Sequence, residues 1–210
     1  MTRQIEGFIL AGGNSSRMGR DKSVLIINGR TLIEHAAEAL ASVADPVYIV
    51  GNIDAAKTSL PIVLDVKAAT ETRGSIVGLY TAAVKAKTKW MAILACDLPV
   101  VGTDLLRILS ELIPAENDNA CRAILPEQPN GLLQPLCGFY AVGETRKAIE
   151  QMLANGNWRL RNLAAMLNVR IVDFAELAHL PNSQDFFLNV NTPDDYEAAR
   201  AIRQFRKELF

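Results

Sequence analysis

Short, mostly apolar runs alternate along this chain with stretches whose apolar residues recur every three or four positions. Ile5 to Leu10, Val47 to Val50, Ile62 to Leu64 and Trp90 to Ala95 are runs of the first kind and predict buried strands. Thr31 to Ser42 carries Leu32, Ile33, Ala36, Ala37 and Leu40 at a helical period, with Thr31 placed to cap it. Ile76 to Ala86 and Thr103 to Ile113 predict further helices, and Ser23 to Ile27 before Asn28-Gly29 predicts a short strand entering a tight turn. Strands that are continuous rather than alternating, each followed by a helix, point to an α/β fold with a parallel sheet covered on both faces.

The pattern changes after Pro114. Residues 116–134 are richer in Asn, Pro and Gly, and predict a strand over Ala120 to Leu125 and a mobile loop over Pro126 to Gln134. Gln134 to Tyr140 reads as an edge strand. Helices are expected near Glu144 to Ala154 and Arg159 to Leu167, then a strand over Val169 to Phe174. A last strand ends at Asn189-Val190-Asn191, and a helix starts at Thr192-Pro193 with Asp194 and Asp195 near its positive end. A single domain over 1–210 is expected, with its weakest seam near Pro114 to Asn119.

Composition narrows the function classes. The chain has 210 residues, half of them hydrophobic, and a formal net charge of -1. That balance is a globular core without the basic excess of a nucleic-acid or membrane-surface binder. Three widely spaced cysteines, Cys96, Cys121 and Cys137, form no CxxC pair, which disfavours a disulfide framework or zinc ribbon and fits a reducing cytosol. No signal segment or membrane-spanning run is visible. His35 and His179 read as surface or core-edge residues rather than ligands.

In an open parallel sheet, ligands bind beyond the carboxyl ends of the strands. Polar clusters fall at those ends. After Leu10 comes "LAGGNSSRMGRDK", residues 10–22, where Gly12 and Gly13 admit close approach to the main chain and Arg17 and Lys22 add fixed positive charge. The string is neither a Walker A loop nor a GxGxxG fingerprint, and as a whole it reads as a phosphate-binding loop. Asp97 closes a buried strand. It is either a cap for the turn into Pro99 or, beside a phosphate loop, a ligand for Mg²⁺, the favoured reading. Asp65 either orients a nucleoside or caps its strand. Gly74 to Gly78 offers a helix N-terminus for an anion, or packing glycines. Asn189 and Asn191 flank a turn, from which either amide could reach a ligand.

These residues resemble one family. "LAGGNSSRMGRDK" is similar to the signature LAGGxSxRMGxDK of the MobA-type molybdenum cofactor guanylyltransferases, within the wider nucleotidyltransferase group. "ACDLP" resembles that group's metal-site aspartate, "NVNTPDD" its closing motif, "GSIVGL" its GPLAGL and "QPLCGFY" its QPLxAxY, with Ser75 and Val77 as departures. The resemblance implies a Rossmann-like open sheet of the nucleotide-diphospho-sugar transferase type, nucleotide-binding over about 1–113 and acceptor-binding over about 114–210. It implies transfer of GMP from GTP to molybdenum-bearing molybdopterin, in the cytoplasm, with Mg²⁺ as cofactor and molybdoenzyme chaperones or apoenzymes as partners. By position, Leu10, Ala11, Gly12, Gly13, Asn52 and Asp65 lie along the nucleotide. Lys22 and Arg17 act on its phosphates, Asp97 ligates the metal, and Asn189 and Asn191 face the pterin. Three other outcomes stay open: transfer of CMP to the same pterin, against which the Gly at position 12 speaks because that branch carries LAAG; nucleotidyl transfer to another phosphorylated acceptor; and a non-catalytic nucleotide-binding partner, against which retention of Lys22 and Asp97 speaks. A sugar-nucleotide pyrophosphorylase shares the loop but not the NVNTP ending.

Overall fold

The computed structural model of the chain describes residues 4–11, 25–66, 74–115 and 121–209. Gly12, Gly13, Arg17 and Lys22 lie outside the described residues, as does most of the seam expected after Pro114.

Seven strands form one sheet: β1 (Ile5–Leu10), β4 (Val47–Val50), β5 (Ile62–Val63), β6 (Trp90–Ala95), β7 (Ala123–Pro126), β8 (Cys137–Ala141) and β9 (Val169–Val172). Their order is β5-β4-β1-β6-β8-β7-β9. Every neighbouring pair is parallel except the two that involve β8. A separate two-stranded hairpin, β2 (Ile26–Ile27) and β3 (Arg30–Thr31), turns at Asn28 and Gly29. Both turn residues have positive φ, 50° and 80°. That is the twist a two-residue hairpin demands and the reason for an Asn-Gly pair.

Helices cover both faces. Side chains of β1 alternate between them: Ile5, Ile9 and Ala11 pack with α1 (Leu32–Ala41) and α3 (Thr103–Glu111), whereas Phe8 and Leu10 pack with α2 (Ser75–Lys85) and α4 (Val142–Ala154). Thr31 caps α1 through a reciprocal box with Glu34, as its position suggested. A short helix α5 (Phe174–Leu177) and the terminal α6 (Pro193–Leu209) complete the chain. A third, small apolar cluster joins Ile27, Leu32, Val100, Val190 and Ala199, tying the hairpin and the turn after β6 to α6.

Five expectations are corrected. Ile62 to Leu64, expected as a buried strand, forms the half-buried edge strand β5, and Leu64 beyond it is exposed. The strand expected at an edge, β8, lies inside the sheet, antiparallel between β6 and β7. Gly138 makes that position possible: a Cβ there would sit 2.4 Å from the Ile124 carbonyl oxygen, so only glycine lets the two strands meet. Arg159 to Leu167 is not a helix but a single 3₁₀ turn, Leu160–Asn162, followed by turns. Its apolar residues have helical spacing, yet its amides bond mostly three residues back and Asn157 takes the Asn162 side-chain amide. The run ending at Asn189-Val190-Asn191 joins no strand. Phe186, Phe187 and Val190 are buried as a packed loop whose amides bond locally or to the turn after β6. Pro126 to Gln134, expected as a mobile loop, is an arm closed by backbone bonds, including Gln128 N–H to Leu132 O at 2.8 Å.

Candidate active site

Four parallel strands end level with one another. Register pairs Val63 with Val50, Val50 with Leu10, and Leu10 with Ala95. Asp65, Asn52 and Asp97 therefore each stand two residues beyond one line, along the carboxyl edge of β5, β4 and β6. Ala11 leaves the same edge from β1. The convergence expected from topology is thus present in register.

The edge is knitted by backbone bonds. Ala11 N–H donates to Val50 O at 2.9 Å, Gly51 N–H to Val63 O at 3.0 Å, and Cys96 N–H to Leu10 O at 3.1 Å. The last bond seats the Asp97 turn directly against the residue that opens the glycine-rich string. Leu10 and Ala11 are buried, at 7% and 6% exposure, so they form a floor rather than a contact surface open to water.

Asp97 is half-buried. Its carbonyl accepts Val190 N–H at 2.9 Å, which brings the Asn189–Asn191 segment onto this rim from nearly a hundred residues away. Asn189 is half-buried, and its amide donates to Phe187 O at 3.0 Å. Asn191 is exposed; its N–H and that of Thr192 donate to the Asp195 carboxylate at 2.9 and 2.8 Å. Asp195 thus does the capping work at the start of α6.

Asp65 and Asn52 are exposed. The Thr81 hydroxyl, fully buried on α2, donates to Asp65 Oδ1 at 3.4 Å and accepts Val66 N–H at 3.0 Å. Sequence reasoning missed Thr81, although one signal was there: a threonine at helical spacing with the apolar positions Val77 and Val84 of "SIVGLYTAAV". Gly78 packs near Leu10, where a Cβ would meet the leucine at an ordinary 3.6 Å, so it serves as a packing position. The first turn of α2 accordingly lies beside the end of β1, with its Val77 N–H donating to Gly74 O at 3.0 Å.

Strands in a sheet are spaced by about 4.8 Å, so Asp65 and Asp97, three strands apart, are separated by roughly 14 Å across the sheet. They cannot ligate one ion directly. Among the described residues there is no group of three or more His, Cys, Asp or Glu able to hold a metal. Among the described residues a cation at Asp97 would find no such group, and substrate oxygens and water would add to its shell. Mg²⁺ binds in that manner, through one or two carboxylates plus phosphate, and the donor set fits it.

Titratable groups near the rim are packing elements. Burial raises the Cys137 thiol to about 12, and burial likewise raises the Tyr140 phenol, which donates to Pro135 O at 2.6 Å. His35 is buried on α1 with Nε2 2.9 Å from Ile27 O; burial first, then the Arg203 charge, lower its pKa. No helix among the described residues is long and apolar enough to cross a membrane.

Comparison with known proteins places these features in a group. Residues 7–170 match the family described as the MobA-like NTP transferase domain. A Carboxydothermus hydrogenoformans protein named "Probable molybdenum cofactor guanylyltransferase" is 32% identical over 194 residues, covering 90% of this chain and 91% of its own. The "Molybdenum cofactor guanylyltransferase" of Syntrophotalea carbinolica is 29% identical over 192 residues, covering 91% and 89%. The crystal structure of molybdopterin-guanine dinucleotide biosynthesis protein A from Archaeoglobus fulgidus superposes with a TM-score of 0.78 at 22% identity, over 96% of this chain and all of that one, and shares the fold.

Proposed function

This chain belongs to the family of MobA-like NTP transferase domains, and on that premise we propose that it transfers GMP from GTP to molybdenum-bearing molybdopterin, giving molybdopterin guanine dinucleotide and pyrophosphate. One observation carries the reading. The Cys96–Leu10 bond sets a single carboxylate, Asp97, against the start of the Leu10 to Lys22 motif. Relatives that share most of this chain's length are named for that transfer.

Both reactants are anions, so charge must be neutralised before they meet. Arg17 and Lys22 are assigned to the triphosphate by their place in the motif, and Gly12 and Gly13 to close contact of the main chain with it. Asp97 is assigned to Mg²⁺, which when bound supplies charge neutralisation and a fixed orientation of phosphate oxygens. Asn52 and Asp65 face the nucleoside, while Asn189 and Asn191, across the Asp97 turn, face the acceptor. A terminal phosphate oxygen of the acceptor bonds to the α-phosphorus of GTP as the bond from that phosphorus to the bridging oxygen breaks. Pyrophosphate leaves with the electron pair. The attacking oxygen is already ionised near neutral pH, so the chain needs no general base; positioning and electrostatics carry the step. The dinucleotide would pass to apoenzymes or their chaperones.

The test is pyrophosphate release from GTP and from CTP, each with Mg²⁺ and molybdenum-loaded pterin. GTP is expected to give a kcat/KM at least about 100-fold above that of CTP, well within the roughly 10⁴–10⁵ that a hydrogen-bonding site can reach. Equal or better turnover of CTP would overturn the guanine assignment.

A further inference from the structure

We propose that Tyr196 and Arg203 of α6 are positioning residues for GTP: they fix the turn that carries Asp97 to the hairpin that follows the nucleotide loop. The inference rests on the function proposed above and concerns the same site. The two residues are seven apart, two helical turns, and so share one face of α6. The Tyr196 hydroxyl donates to Ile26 O at 2.5 Å and the Arg203 Nε–H to Pro99 O at 2.6 Å. In sequence, Ile26 is four residues past Lys22 and Pro99 two residues past Asp97. One helix face therefore grips the main chain immediately after each half of the nucleotide site.

The surroundings make that grip exact in position. Ala199, between the two donors on α6, is fully buried against Ile27, Leu32, Val100 and Val190. Val190, just ahead of α6, donates to the Asp97 carbonyl itself. Leu32 N–H donates to Leu25 O at 3.0 Å, and His35 Nε2 meets Ile27 O, so α1 holds the hairpin from the other side. The hairpin is a two-strand ribbon outside the main sheet, with no sheet neighbour among the described residues to set its place. A two-stranded ribbon is marginal by itself, so its position relative to Asp97 is set by these side-chain donors and the small cluster beneath them. The bonds are made to carbonyls, so the donors act through the main chain and touch no substrate.

The experiment measures GTP binding with Mg²⁺ by calorimetry, without acceptor, on the full chain and its Tyr196→Phe, Arg203→Met, Arg203→Lys and Arg200→Met variants. Thermal unfolding and steady-state KM values are recorded alongside. Tyr196→Phe and Arg203→Met should each weaken GTP about tenfold, with the same rise in KM for GTP, while KM for the pterin moves less than about twofold. Arg203→Lys keeps a donor and should recover GTP binding to within about threefold of the parent. Arg200, exposed on α6 and paired with Glu197, is the control and should bind GTP like the parent. A purely structural role predicts lowered Tm with both KM values unchanged, and that result overturns the inference while leaving the proposed function standing. No GTP binding by the parent chain would instead remove the proposed function, and this inference with it.

Discussion

Asp97 and Asp65 occupy equivalent places, each two residues past the level end of a parallel strand, yet their settings differ. Asp97 follows β6, a central strand buried at all six positions and paired on both sides. Its turn is pinned by Cys96 to Leu10 and by Val190 to its own carbonyl. Asp65 follows β5, a two-residue edge strand, next to Leu64 at 64% exposure, and is steadied by one long bond from Thr81. A carboxylate held by the core of the sheet can keep its geometry as charge shifts in the transition state; one at a wet edge can hold a ground-state ligand but little more. The first should govern kcat and the second KM.

The strongest test of that contrast is Asp97→Ala. If Asp97 holds the cation proposed for it, the change should lower kcat by at least about 10²–10³, because that charge would leave with it; near-parental turnover with Mg²⁺ would overturn the assignment. Lys22→Ala should cost about 10²–10³ in rate, the effect of removing one preorganised donor at developing charge. Asp65→Ala should raise KM for GTP about tenfold and leave kcat within about threefold. Should Asp65→Ala lower kcat as far as Asp97→Ala does, the edge and the centre are not different in kind. Thr81→Val keeps the buried volume but strands Val66 N–H and frees Asp65. About 1–3 kcal/mol of stability should go, read by urea unfolding, with a KM effect smaller than that of Asp65→Ala.

The same division runs through what the sequence made legible. The β1, β4 and β6 strands and the helices between them could be read because each is apolar on both faces and each crossover is local. The polar residues at their ends followed from topology alone. The second half resisted for identifiable reasons. Gln134 to Tyr140 reads as an apolar edge strand, and its single Pro135 and Gly138 are types uncommon inside sheets, but Gly138 is there to let β7 approach. Phe186 to Val190 is as apolar as a strand and as buried, yet it spends its amides on local turns and on Asp97. Periodicity reported burial for β1, β4 and β6 but not at the sheet edge, where Leu64 is 64% exposed, nor at His35, which is buried on α1; it does not report the bonding partner. The partners of Thr81 and of the α6 donors were illegible for the same reason, since a single polar residue acquires meaning only from the carbonyl or carboxylate opposite it. The roles of Gly12, Gly13, Arg17 and Lys22 rest on the motif, because they lie outside the described residues.

A smaller effect probes the hairpin beside the site. Burial and the Arg203 charge hold the His35 pKa below its ordinary value of 6.5. Between that lowered value and 6.5 the unfolded chain binds a proton that the folded chain does not. Stability is therefore fully present above this window and declines as pH falls through it. Urea midpoints measured from pH 7.5 down to about 5.5 should decline less steeply in His35→Gln than in the parent. Parallel declines would mean that His35 titrates alike in both states.

The most direct measurement follows the label from GTP carrying radioactive phosphorus at either the α or the γ position, incubated with Mg²⁺ and molybdenum-loaded pterin. The account predicts that α-label enters the pterin dinucleotide and γ-label emerges as pyrophosphate, both only when the acceptor is present. Release of γ-label as inorganic phosphate, or its transfer to the pterin, would contradict it.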